Sequence, residues 1–136
     1  MNNTRKHILL VDDERGFLFT ASLVLRKAGY RVKVAEDGKE ALKLFLEAFT
    51  GEEPFDLLVT DIRMPGMSGS DLIDAVRLCE IPVAIFAISS YLNAELVKEL
   101  KNKGCDAVFE KPFQPEELTD HISAIFGSTE GPANVM

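Results

Sequence analysis

Five short apolar runs, each followed by a stretch of helical periodicity, leave this chain few folds to adopt. The runs lie at residues 7–11, 31–34, 55–60, 83–88 and 107–109. After the first, Phe17, Ala21, Val24, Leu25 and Ala28 recur at helical spacing, and Ala41, Leu44, Phe45 and Ala48 do so after the second. Leu72, Ile73 and Val76 follow the third run, Leu92, Leu96, Val97 and Leu100 the fourth, and Leu118, Ile122 and Ile125 the fifth. Strand and helix repeated five times predict an α/β domain with a parallel sheet, because parallel neighbours need a crossover between them. The first, third and fourth runs are apolar at nearly every position, so helices should cover both faces. The second alternates as Arg31-Val32-Lys33-Val34 and the fifth is short, which suits sheet edges.

Local signals mark the ends of the helices. Asp37 with Glu40 reads as a capping box, Ser68 and Ser70 as caps, and Gly29 and Gly104 as stops. Tyr91 to Lys103 reads as the fourth helix, and Pro115 opens the last. The segment between Met67 and Pro82 is short, so a truncated third helix is expected. A chain of 136 residues is one domain, with residues 6–126 folded and residues 127–136 a tail or linker stub.

Charge and composition exclude several roles. A net charge of −7 opposes non-specific binding to nucleic acid or an anionic membrane. No run approaches the roughly 20 apolar residues of a membrane span, and the polar start Met1-Asn2-Asn3-Thr4-Arg5-Lys6-His7 is no signal peptide. A cytoplasmic location follows as an expectation. Cys79 and Cys105 have no metal-ligand spacing and read as reduced, packed thiols. His7 and His121 read as solvated. The run Lys98, Glu99, Lys101, Lys103 reads as a wet helix face, with partner docking as its alternative.

In an open parallel sheet, ligands bind beyond the carboxyl ends of the strands, where strand order reverses. Asp12 and Asp13 end the first strand, Asp61 the third and Ser89 the fourth, while Lys111 follows the fifth. Three carboxylates in one crevice repel, by about 4 kcal/mol for a pair roughly 4 Å apart at an effective dielectric of 20. Such a cluster either holds protons or binds a cation. Oxygen ligands without His or Cys favour a hard ion, Mg²⁺ above all. A carboxylate beside Mg²⁺, a lysine and a hydroxyl is equipped to attack phosphorus.

These residues carry a resemblance. Ile8-Leu9-Leu10-Val11-Asp12-Asp13-Glu14, Asp61-Ile62-Arg63-Met64-Pro65-Gly66-Met67-Ser68-Gly69 and Lys111-Pro112-Phe113 resemble, in order, the motifs of response regulator receiver domains of two-component signalling. The likeness spans nearly the whole chain. It implies a flavodoxin-like, doubly wound fold: a five-stranded parallel sheet of order 2-1-3-4-5 with five helices on both faces. It further implies that Asp61 accepts a phosphoryl group from a sensor histidine kinase or phosphotransfer protein. Mg²⁺ would be held by Asp12 (largely through water), Asp13, Asp61 and the backbone carbonyl of Arg63. Ser89 takes the switch position, selected over Ser90 by counting back from Lys111 through Gly104, and Lys111 would bind the phosphoryl group across a cis Lys-Pro bond. Side chains at the positions of Arg63 and Tyr91 flank the path of the hydrolysing water. The implied role is a signalling domain acting on an unidentified downstream protein, not an enzyme with other substrates. The chain is then a single-domain regulator or the receiver of a longer protein. Two other readings are a Mg²⁺-dependent phosphohydrolase with an aspartyl-phosphate intermediate and a phosphorylation-independent binding module of the same fold.

The chain departs from the family pattern at two further points. Pro82 lies two residues further from the switch hydroxyl than usual, leaving the start of the fourth strand open. Val108 stands where the family carries its switch aromatic, and Phe109, one residue later, should face the other side of the sheet.

Overall fold

The computed structural model describes residues 5–127. Ten elements alternate: β1 (His7–Val11), α1 (Arg15–Lys27), β2 (Arg31–Ala35), α2 (Gly38–Thr50), β3 (Leu57–Asp61), α3 (Gly69–Leu78), β4 (Ala84–Ser89), α4 (Ala94–Asn102), β5 (Ala107–Glu110) and α5 (Glu116–Phe126). The strands form one parallel sheet in the order β2-β1-β3-β4-β5. Fold class and strand order are those the sequence implies.

The period of two along each strand divides the core into halves. Leu9, Val11, Leu58, Ile85 and Ala87 face Ala41 and Phe45 of α2, Leu72, Ile73 and Val76 of α3, and Leu100 of α4. Ile8, Leu10, Leu57, Val59, Phe86 and Ile88 face Leu18, Ala21 and Leu25 of α1 and Leu118 and Ile122 of α5. With both faces covered, β1 and β3 are buried along their whole length, which is why their sequences hardly alternate.

Caps fix where the helices begin. Asp37 accepts a hydrogen bond from the Glu40 N–H at 2.8 Å, Ser68 from Asp71 at 3.0 Å and Asn93 from Leu96 at 2.8 Å. Gly29 and Gly104 take positive φ just past α1 and α4 (101° and 93°), a conformation that favours glycine. Arg77, near the end of α3, donates to the carbonyls of Val83 (3.0 Å), Lys103 (3.2 Å) and Gly104 (2.8 Å). Lys103 in turn reaches Asp74 at 2.6 Å, so the end of α4 is bound to α3 by two side chains.

Several expectations need correction. The third helix runs ten residues, one more than α4, so its buried stripe is not cut short. The fourth begins at Ala94, where Asn93 is the cap; ahead of it the N–H groups of Tyr91 and Leu92 are taken by side chains at strand ends. β3 starts at Leu57, with Phe55 buried ahead of it, and β4 at Ala84, after Pro82. Ile125 of α5 is 44% exposed. His7 is not solvated but 4% exposed, its ring 4.2 Å from that of Phe55 and its Nδ1–H donating to the Glu53 carbonyl at 3.1 Å. Burial, then the nearby Arg31 charge, hold its pKa below the ordinary histidine value. His121 is exposed as expected, though its ring meets that of Phe109 edge-on at 4.7 Å. The tail assigned to residues 127–136 lies, beyond Gly127, outside the described residues.

Gly69 opens α3 directly beneath β3. Its N–H donates to the Ile62 carbonyl at 2.9 Å, and a Cβ there would drive into the Asp61 carbonyl oxygen, backbone that has nowhere to move. Gly69→Ala should therefore lower the melting temperature by about 5–10 °C, the effect of overpacking on a domain of this size. Gly16→Ala, at an open position in the first turn of α1, should leave it unchanged or slightly raised. Thermal denaturation of the two variants against the parent measures both.

Candidate functional site

Strand register brings the polar strand ends together. Val11 pairs with Thr60, Asp61 with Ile88, and Ser89 with Glu110, so Asp12, Asp61, Ser89 and Lys111 meet at the carboxyl edge of the sheet. This is where strand order reverses, between β1 and β3, with α1 on one face and α2 on the other. Asp12 and Asp61 are buried while Asp13 is exposed, and one carboxylate oxygen from each lies within 4.8 Å of the others.

Asp61 is held by one oxygen and open at the other. Its Oδ1 accepts from the Arg63 N–H at 3.0 Å, and its Oδ2 lies 3.4 Å from Lys111 Nζ. The ammonium sits nearer to two other carboxylates, 2.7 Å from Asp12 Oδ2 and 2.6 Å from Glu14 Oε1. The Lys111–Pro112 bond is cis. Ser89 is fully buried, its Oγ donating to the Tyr91 carbonyl at 2.9 Å and accepting from the Tyr91 N–H at 3.1 Å. Ser90 is exposed. Arg63 and Tyr91 both present exposed side chains.

The two residues near the missing aromatic point apart. Val108 packs with α2, α3 and α4, whereas Phe109 is buried on the α1 and α5 face, its ring 5.4 Å from Phe86 and 5.3 Å from Phe113. Glu110 reaches back across the edge and accepts from the Leu92 N–H at 3.3 Å. Glu14 entered the sequence reading only as the last residue of the first motif, without a role, and Glu110 did not enter it. Their only signal there is position, one residue after the acidic pair and one before the lysine.

Burial is the main force on Asp12. It raises the pKa from 3.8 to about 6, against hydrogen bonds from Lys111 and the Glu14 N–H, and the charge of Asp61 adds to the rise. Burial opposes the charge on Lys111 too, but its bonds to Asp12 and Glu14 outweigh this and hold its pKa above the ordinary lysine value. The pocket thus carries more negative charge than its lysine balances. An oxygen-only set of three close carboxylates with that excess suits a hard divalent cation.

Comparison with known proteins agrees with this geometry. The family model described as response regulator receiver domain matches residues 8–123. Sporulation initiation phosphotransferase F of Bacillus subtilis is 30% identical over 115 residues, covering 85% of this chain and 89% of that protein. The transcriptional regulatory protein CpxR of Escherichia coli is 38% identical over 120 residues, 87% of this chain but 48% of that one, so this chain spans about half of such a regulator. The solved structure of Vibrio cholerae chemotaxis protein CheY4 superposes with a TM-score of 0.79 at 31% identity, covering 90% of this chain and 99% of the other. Among the described residues, no helix is long and apolar enough to cross a membrane.

The shift of Asp12 fixes the sign of a pH effect. Because its folded pKa lies above 3.8, the protonated form favours the fold; that contribution is complete below 3.8 and lost as pH rises through about 6. In metal-free buffer near neutral pH, Asp12→Asn should melt about 3–8 °C above the parent, and the gap should close at about pH 4. Paired melting curves at the two pH values check this.

Proposed function

The chain belongs to the response regulator receiver family, signalling domains of two-component systems that are phosphorylated on aspartate, and from that premise we propose that Asp61 is the acceptor. The observation that carries this is its asymmetry: one oxygen tied to the Arg63 N–H, the other facing Lys111, with two further carboxylates close by. The donor is a phosphohistidine on a sensor histidine kinase or phosphotransfer protein. Asp61 attacks phosphorus, the P–N bond breaks, and the imidazole leaves with a proton. Lys111 pairs with a phosphoryl oxygen. Asp13, Asp61, the Arg63 carbonyl and, largely through water, Asp12 would hold Mg²⁺. Bound there, the cation supplies neutralisation of the phosphoryl charge.

Ser89 gives the switch. Its Oγ now serves the Tyr91 backbone, and a phosphoryl group on Asp61 offers a stronger, charged acceptor. Drawing Oγ inward releases Tyr91 and with it the loop leading to Asn93, the cap of α4. With Val108 in place of an aromatic, the change stays in this loop and the start of its helix. The output is read by a downstream protein at that surface, and the net charge of −7 argues against nucleic acid or membrane as direct partners.

Two outcomes test the reading. Incubated with acetyl phosphate and Mg²⁺, the protein should gain the mass of one phosphoryl group, and Asp61→Asn should gain none. Intact mass spectrometry decides it. The exposed Arg63 and Tyr91 stand at the rim where water must approach. Removing them, singly or together, should speed loss of phosphate by up to about tenfold, a barrier change of roughly 1.4 kcal/mol. Phosphate release from Arg63→Ala, Tyr91→Ala and the double variant measures it.

A further inference from the structure

Glu14 occupies the N-terminal cap of α1, yet its side chain makes no bond to its own helix. It turns instead to a lysine 97 positions away, with Oε1 at 2.6 Å from Lys111 Nζ. Its backbone N–H donates to Asp12 Oδ1 at 2.9 Å, so the Asp12 carboxylate that also meets the lysine is tied to the Glu14 backbone. One turn on, the Phe17 ring lies 4.7 Å from the same ammonium. The entrance of α1 thus grips Lys111 through a carboxylate and a ring face.

An ammonium has three N–H donors and no acceptor. Asp12 and Glu14 hold the short contacts, at 2.7 and 2.6 Å, and the longer one, 3.4 Å, is directed at Asp61 Oδ2. Asp12 has a second role, because it belongs to the close carboxylate trio suited to a cation, and Glu14 stands outside that trio. We infer that Glu14 is a positioning residue for Lys111: it holds the ammonium while Asp12 serves the cation, leaving one N–H aimed at the phosphoryl oxygen on Asp61. The inference rests on Asp61 as acceptor and Lys111 as phosphoryl ligand.

The opposite role, a negative charge at the rim that repels an anionic donor, is separable because Gln keeps an acceptor oxygen and removes the charge. The test follows phosphoryl gain from acetyl phosphate and Mg²⁺ over a range of donor concentrations for the parent, Glu14→Gln and Glu14→Ala. The exchange of the Lys111 ammonium protons is followed by NMR without donor. Positioning requires that Ala lower the rate at saturating donor by about fivefold, equal to roughly 1 kcal/mol, without a matching rise in the half-saturating concentration. It also requires that Ala speed proton exchange and that Gln recover most of both. Ala and Gln both matching the parent, or both exceeding its rate, would overturn the role of Glu14 while leaving Asp61 as acceptor intact. A parent that gains no phosphoryl group overturns both.

Discussion

One ammonium ties this fold together at its working edge. Lys111 Nζ joins the exit of β5 to the ends of β1 and β3 through Asp12 and Asp61, and to the entrance of α1 through Glu14 and Phe17. A buried carboxylate such as Asp12 is tolerated only with compensation. Here the compensation is partial, as its upward pKa shift records. β1 and β3 are buried along their whole length and open only at this edge, so the residual charge at their ends acts there. Stability and chemistry pull against each other there, as they do wherever a fold keeps a reactive group under-neutralised.

The two faces of the sheet stand in different relation to that edge. On the side of α2, α3 and α4, Val108 provides a small aliphatic surface packed against the core. On the other side, rings run from Phe17 to Phe113 (5.7 Å), on to Phe109 (5.3 Å) and to His121 on α5 (4.7 Å). The loop itself is fastened by polar contacts, Ser89 Oγ to the Tyr91 backbone and Glu110 to the Leu92 N–H.

What the sequence made legible was whatever depends on near neighbours or on period. Strands apolar at every position announced a sheet covered on both sides, the Asp37–Glu40 pair announced its helix, and polar residues at strand ends announced the pocket. The misreadings share a cause, partners distant in sequence. His7 is buried because Phe55 and Glu53 enclose it, Glu110 reaches the Leu92 N–H ahead of α4 from 18 positions away, and Glu14 finds its partner only across the whole chain. None of these contacts leaves a local trace. Ile125 errs in the other direction: its helical spacing is right, but among the described residues it lies 44% exposed on the outer flank of α5.

The binding of α4 to α3 has a geometric consequence. Arg77 grips the carbonyls of Lys103 and Gly104, and Asp74 grips the Lys103 side chain, so the far end of α4 is pinned. The near end follows the loop that the Ser89 and Glu110 side chains fasten. A pinned rod pushed at its free end cannot slide; it tilts. Displacement of the loop would therefore reach the surface as a rotation whose arc is widest at Asn93 and Ala94 and vanishes near Lys103, with α4 as a lever and its fulcrum on α3.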